Sequence, residues 1–291
     1  MTGILLTNEP LIRLAFFLGI LVLMIAWEFA APRRRQTVSR WIRWPNNLAV
    51  VVLNTVFLRI LFPTAAVGWA LVGEERAWGL LNNLNTPRWA AFMLSLALLD
   101  LAIYLQHVLF HAVPVLWRLH RMHHADLDLD VTTGTRFHPL EMLLSMLIKL
   151  AVIAALGPPA VAVLIFEVLL NATSMFNHGN VRIPPGIDQA LRWLVVTPDM
   201  HRVHHSVIPA ETNSNFGFNL PWWDRLCGTY RAQPAAGHEG MTIGIEQFRT
   251  VRELWLDRML LRPFWSKTGN YLFDASESPN DNPDRSPTSR V

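Results

Sequence analysis

Cysteine is almost absent. Cys227 stands alone among 291 residues, so no intrachain disulfide can form and nothing points to an oxidising compartment. Charge is scarce as well, at 16% of residues against 52% hydrophobic, with a mean hydropathy of +0.26. That balance argues against an ordinary soluble globule and for a chain immersed in a bilayer. The formal net charge is only +3, so no nucleic-acid partner is expected. No Gly-rich dinucleotide fingerprint occurs, and no nicotinamide or flavin is expected on this chain. HExxH is missing too, which counts against a zinc protease.

Long apolar runs are what the chain does have. Residues 11–31 are long enough to span a bilayer, and Arg33, Arg34 and Arg35 follow the run instead of preceding it as in a secretory signal. By the positive-inside rule that loop is cytoplasmic, with Trp41 and Trp44 as interfacial anchors. Residues 48–72 run outward and carry Arg59 near their centre, where an unpaired charge costs about 2.5–3.5 kcal/mol. Residues 89–111 return inward with Asp100, and an Arg59–Asp100 pair would lower the cost of both. Residues 140–156 and 160–176 flank Gly157-Pro158-Pro159, a turn signal, and form a hairpin or re-entrant pair.

The expected fold is an all-α integral membrane protein. About four transmembrane helices, or two spanning pairs, would carry a cytoplasmic histidine-rich di-metal cap in a bacterial inner membrane. A membrane anchor over 1–94 precedes a catalytic domain over 95–265 with hairpin 140–176, and 266–291 reads as a disordered tail. Residues 245–265 interleave apolar side chains with arginines, as either an interfacial amphipathic helix or a packed cap helix would.

Histidine supplies the chemistry. His107 and His111, then His120, His123 and His124, then His201, His204 and His205 lie three and four apart, so each group shares a helix face. Asp100 and Tyr104 extend the first face into the membrane at the same spacing. Imidazole suits Zn, Cu, Fe and Ni. Eight clustered imidazoles are about twice what a four-coordinate zinc uses, so two ions fit better than one. His138, at the start of the hairpin, is a further candidate ligand or a partner of one. Bound imidazoles need their other nitrogen held by an acceptor. Asp199, Asn177, Glu141 and Asp126 lie beside the ligands, and Asp199 is favoured because it precedes His201 by two. Asp128 and Asp130 read as a solvated acidic loop, and His238 as a surface histidine.

The groups H-x3-H, H-x2-H-H and H-x2-H-H, in that order with a hydrophobic hairpin before the third, resemble the fatty acid hydroxylase (sterol desaturase-type) superfamily. Flanking residues agree: Trp117-Arg118, Arg136-Phe137-His138-Pro139, Asn177-His178-Gly179-Asn180 and Pro221-Trp222-Trp223-Asp224. The resemblance covers about residues 95–231; the N-terminal third matches only in being hydrophobic and basic-flanked. It implies His178 as a ninth ligand, two iron ions with zinc as a substitute, and O2 as co-substrate. One oxygen atom would enter a C–H bond of a membrane lipid, a fatty acyl chain, sterol or related molecule, with the clustered histidines acting through the metals. Electrons would come from an external donor of ferredoxin or cytochrome type with its reductase. A desaturase on the same site is the alternative. A zinc-dependent membrane hydrolase or a metal transporter is less favoured, because a transporter would hold its ligands near the midplane.

Overall fold

A chain in lipid must satisfy every backbone N–H and C=O internally, and helices do so. The computed structural model describes residues 2–62, 65–84, 86–265 and 269–274. Among these there is no β-strand, only isolated antiparallel bridges joining Pro32 to Val181 and Ser206 to Ile243. The membrane part comprises α1 (Thr2–Thr7), α2 (Glu9–Ala30), α3 (Arg40–Leu61), α4 (Ala65–Glu75), the single turn α5 (Leu80–Asn83) and α6 (Arg88–Ala112). After α7 (Pro114–His124) comes the hairpin of α8 (Pro139–Leu156) and α9 (Ala160–Asn177). The cap is built from short helices: α10 (Pro185–Leu191), α11 (Pro198–His204), α12 (Pro209–Thr212), α13 (Trp222–Leu226), α14 (Gly237–Gly240) and α15 (Leu256–Leu261).

Among the described residues five stretches are long and apolar enough to cross a membrane: α2, the run Arg40–Asn83, α6, α8 and α9. About four were expected, and five candidates are present by length and composition. At 1.5 Å per residue α2 reaches about 33 Å, and α8 and α9 about 27 Å each, against a hydrocarbon core of roughly 30 Å. Little of α2 is buried in the protein; Leu11, Leu14, Val22 and Leu23 are exposed, as lipid-facing side chains would be.

The second apolar run departs from its expected bounds. Its helix begins at Arg40, ends at Leu61, and α4 is separate. The first turns of α3 carry a buried stripe, Arg43, Asn47, Val50 and Asn54, spaced 4, 3 and 4. This polar face was masked in the sequence by the apolar residues between its members. Arg59 is exposed in the last turn of α3 and does not pair with Asp100. Asp100 instead accepts from the Leu220 N–H (3.2 Å) and the Trp223 indole (2.8 Å).

Opposite ends of the helices are fixed differently. At one end the hairpin turn carries Gly157 at φ +64°, where a Cβ would lie 2.1 Å from the Trp78 carbonyl oxygen. Only glycine fits there. Glu74 accepts the Ala160 N–H at 2.8 Å and so caps α9. Loop and hairpin tip thus share one end, as the alternation of runs requires. At the other end the arginine loop is tied to the cap: Arg34 N–H donates to Asn180 Oδ1 and Thr37 N–H to Asp128.

Residues 245–265 form short helical pieces rather than one helix. Leu254 and Met259 are buried, Met259 against Val50 and Met122, so the segment packs on its neighbours while Trp255 and Phe264 remain exposed. Residues 269–274, counted with the tail above, pack on the cap: the buried Tyr271 ring stacks on Trp117, and Phe273 N–H donates to the His111 carbonyl. The rest of that expected tail lies outside the described residues.

One charged cluster links three of the long apolar helices. Glu167 on α9 is buried and binds Lys149 of α8 at 2.8 Å and Arg13 of α2 at 2.9 Å. The carboxylate joins three helices, and Arg13 also takes Glu9 at 2.8 Å. Breaking such a buried pair from one side leaves charge uncompensated, at about 3–5 kcal/mol. Glu167→Ala is expected to lower the thermal unfolding midpoint in detergent. An unchanged midpoint would show that the three helices hold without it.

Candidate metal centre

Nine of the eleven histidines converge beneath the cap. His107 and His111 come from the last turns of α6, His120, His123 and His124 from α7, His178 from the end of α9, and His201, His204 and His205 from α11 and its C-cap. They form two groups. One holds His107, His111, His120, His124 and His204; the other holds His123, His178, His201 and His205. Within each group one nitrogen per ring lies within 4.8 Å of all the others. The grouping differs from the sequence blocks. Successive helix residues diverge by about 100°, so the neighbours His123 and His124, and likewise His204 and His205, turn to different groups.

Hydrogen bonds on the far ring nitrogens set the tautomers. Nδ1 of His107 donates to the Phe216 carbonyl (2.7 Å), that of His204 to Ser214 (2.8 Å), and that of His178 to Ser174 (2.7 Å). His111 Nδ1 meets Asn213 Oδ1 at 3.2 Å, and His120 Nδ1 meets Glu141 Oε1 at 2.6 Å. A neutral imidazole that donates through Nδ1 has a bare lone pair on Nε2. Yet His107 and His120 bring their Nε2 atoms to 3.1 Å, and His124 approaches His120 at 3.2 Å. In the second group His178 Nε2 lies 3.0, 3.1 and 3.2 Å from those of His123, His201 and His205.

The imidazolium form is disfavoured at six of these rings. Burial, reinforced by neighbouring imidazoles, holds His123, His124, His201 and His205 well below the usual histidine range. Burial likewise lowers His178 to about 4 and His204 to about 3. Buried imidazoles whose Nε2 atoms face one another at this distance fit around a shared cation. First-row metals bind imidazole nitrogen at about 2.0–2.1 Å, which places neighbouring ligand atoms roughly 3 Å apart.

The remaining candidates are used otherwise. His138 caps α8: its Nδ1 accepts the Leu140 N–H, and its Nε2 donates to the Leu260 carbonyl at 3.1 Å. Asp199, favoured above as the partner of His201, instead pairs with Arg33 and Arg202. Asn177 donates its amide to the Phe218 carbonyl. Asp126 takes Arg43 at 2.8 Å rather than an imidazole. Of the acceptors considered, Glu141 is the one that reaches a ring nitrogen. His238, read as a surface residue, is buried 3.7 Å from Asp199.

Asp128 and Asp130 overturn the solvated-loop expectation. Both are buried. Asp130 takes Arg43 at 2.5 Å and the Trp44 indole at 3.0 Å; Asp128 takes the Thr37 and Val38 N–H groups, each at 2.8 Å. Burial alone would raise Asp126, but Arg43 and Arg136 beside it hold its carboxyl far below the usual range. This ionic knot fixes the loop after α7, and Phe137 at its end stacks on His123 at 4.4 Å. Sequence reasoning missed it because Arg43 lies more than eighty residues away.

Fold and site define a helical membrane-type chain with a paired polyhistidine centre. Residues 92–229, which carry all nine clustered histidines, match the family model described as fatty acid hydroxylase. Over 142 residues the chain is 33% identical to the ornithine lipid hydroxylase OlsE of Rhizobium tropici, covering 49% of this chain and 42% of that one. It is 26% identical over 176 residues to alkylglycerol monooxygenase of Xenopus tropicalis, covering 58% and 37%. With that of Danio rerio it shares 28% over 196 residues, covering 65% and 41%. The chain spans less than half the length of the curated relatives it matches. No solved structure matches it significantly.

Glu141 is the charged anchor of the first group. Removing such an outer partner costs a metal site about 10–100-fold in affinity. Glu141→Gln is expected to weaken metal retention in a chelator competition by that order, and to leave helix content unchanged. Undiminished retention would show that the carboxylate does not tune His120.

Proposed function

We propose that the chain is a di-iron, O2-dependent oxidoreductase of the membrane that hydroxylates a C–H bond of a lipid. The observation that carries this reading is the pair of buried imidazole groups, five and four rings, with Nε2 atoms turned toward one another. The eight clustered histidines and His178 would hold the metals; His138 would not, being spent on its helix cap. All-nitrogen sites of this kind suit iron and accept zinc. When bound, the iron pair supplies oxygen activation and insertion of one oxygen atom into the C–H bond, the other leaving as water.

The chain's own residues orient and shelter. Nδ1 acceptors on Phe216, Ser214, Ser174, Asn213 and Glu141 fix five of the rings. Phe137 lies against His120 and His123, and Phe218 against His107, His178 and His201, so apolar rings border both groups and exclude water. Phe218 also packs on the apolar core between the helices, which supports an approach for a lipid chain from the membrane side. The names hydroxylase and monooxygenase carried by the relatives support hydroxylation over desaturation. Two electrons per turnover would come from a separate ferredoxin- or cytochrome-type donor, because a cofactor carries this chemistry and the protein positions it.

Protein made in iron-replete medium is expected to hold two irons per chain by mass spectrometry. Lipids from cells expressing it should gain a hydroxyl labelled from 18O2, and His124→Ala and His204→Ala should abolish that label. One iron per active chain, or a label drawn from water, would sink the proposal.

We further infer that the site faces the cytoplasm. Arg33 to Arg35 sit on the histidine side of the helices, and the positive-inside rule puts such a loop inside. Cys227 is exposed on the cap. It is expected to resist a membrane-impermeant thiol reagent in intact cells and to react once they are opened. A cysteine at position 82, replacing Asn82, should label the other way round. Labelling of Cys227 in sealed cells would invert the topology.

A further inference from the structure

An open cavity of about 1180 Å³ lies where α2 ends and α3 begins, on the side of the arginine loop. Five guanidiniums, three aromatic rings and only two carboxylates line it. Most of these charges are already matched. Arg33 binds Asp199 and Glu239, and Arg182 lies 3.8 Å from Glu239. Arg34 donates to the carbonyls of His238 and Met241. Glu28 is buried and accepts the N–H groups of Val131 and Asn180.

Arg35 and Arg40 are left over. Neither forms an ion pair with a carboxylate among the described residues, and the buried Nε of Arg40 has no acceptor. The Arg40 guanidinium instead lies 4.5 Å over the Phe29 ring, which keeps its fork in place beside the cavity. Such a planar fork matches the oxygens of a phosphate, and a second free guanidinium adds to it. Trp41, on the same rim, is 88% exposed. An exposed indole beside arginines, between two helices apolar enough to cross a membrane, belongs at headgroup level.

We propose that this cavity binds the phosphate of an anionic membrane phospholipid through Arg35 and Arg40. The placement between the helix ends selects a lipid over a soluble phosphate, because the acyl chains then run along the exposed apolar face of α2. Binding there involves none of the clustered histidines and needs no turnover, so it stands apart from the oxygenase reading.

The test is native mass spectrometry of the full chain in detergent, titrated with phosphatidylglycerol, phosphatidylcholine or inorganic phosphate. Phosphatidylglycerol is expected to bind more tightly than phosphatidylcholine, and inorganic phosphate should fail to displace it. Arg35→Gln and Arg40→Gln should each weaken phosphatidylglycerol about fivefold, the worth of one arginine near an anionic lipid. Arg252→Gln, on the cap, should not. Arg35→Lys should also weaken binding, since it keeps the charge and loses the fork. Equal binding of both lipids, displacement by phosphate, or full affinity in Arg35→Lys would each overturn the proposal. Arg35 is exposed, so its variants test the site even where Arg40→Gln fails to fold.

Discussion

The constraint on which everything else depends is the close approach of buried imidazole Nε2 atoms at 3.0–3.2 Å. Left to themselves these rings would turn, take up water or protonate. Each escape is closed. Carbonyls, an amide and a carboxylate hold five Nδ1 atoms, so those rings present Nε2 inward. Full burial suppresses the imidazolium form in the others. A cavity-filling shell of Trp117, Phe137 and Phe216 leaves little room for rotation. The arrangement is arranged for a positive charge that the chain itself does not provide.

Holding nine rings in register demands a rigid surround, and around the histidines the fold supplies much of it with buried ions. Arg43, fully buried, takes Asp126 on one side and Asp130 on the other, and Thr133 closes the ring by binding both Arg43 and Asp126. Buried ion pairs carry a desolvation cost that only good geometry and extra hydrogen bonds offset. Here the bidentate fork and the hydroxyl meet that condition. The result pins the loop between α7 and α8 to α3, and thereby fixes Glu141 and Phe137 relative to α7. Asp224 does the same on the far side. It accepts the Phe216 and Gly217 N–H groups and so sets the carbonyl that orients His107.

Much of this was legible in the sequence, and the remainder was not for definite reasons. Helical spacing exposed the histidines and the stripe Asp100, Tyr104, His107 and His111, all of which are buried. Run lengths and the Gly-Pro-Pro turn exposed the hairpin. The partition into two groups was hidden, because spacing on one helix says which rings share a face but not which partner helix each ring meets. Asp128 and Asp130 looked solvated because their partners, Thr37 and Arg43, lie far back in the chain. The Nδ1 acceptors are mostly backbone carbonyls, which leave no side-chain signature at all. Asp199 misled through proximity: two residues on a helix start put it about 200° round from His201, facing Arg33 and Arg202.

The two ends of the bundle show how the membrane and the site constrain each other. At the end away from the histidines, geometry is set by backbone: Gly157 against Trp78, and Glu74 on the first N–H of α9. At the histidine end it is set by charge. Midway, Glu167 ties α2, α8 and α9 together through Arg13 and Lys149. Since lipid offers no hydrophobic drive between helices, such polar fastenings decide their relative depth. Depth matters here because His107 and His111 ride on α6 and His178 on the end of α9, while His120, His123 and His124 sit on α7 beyond the apolar stretch. A slip of one turn, about 5.4 Å, along any of these helices would exceed the whole span of either imidazole group. The fastenings in the membrane are therefore as much a part of the site as the rings that line it.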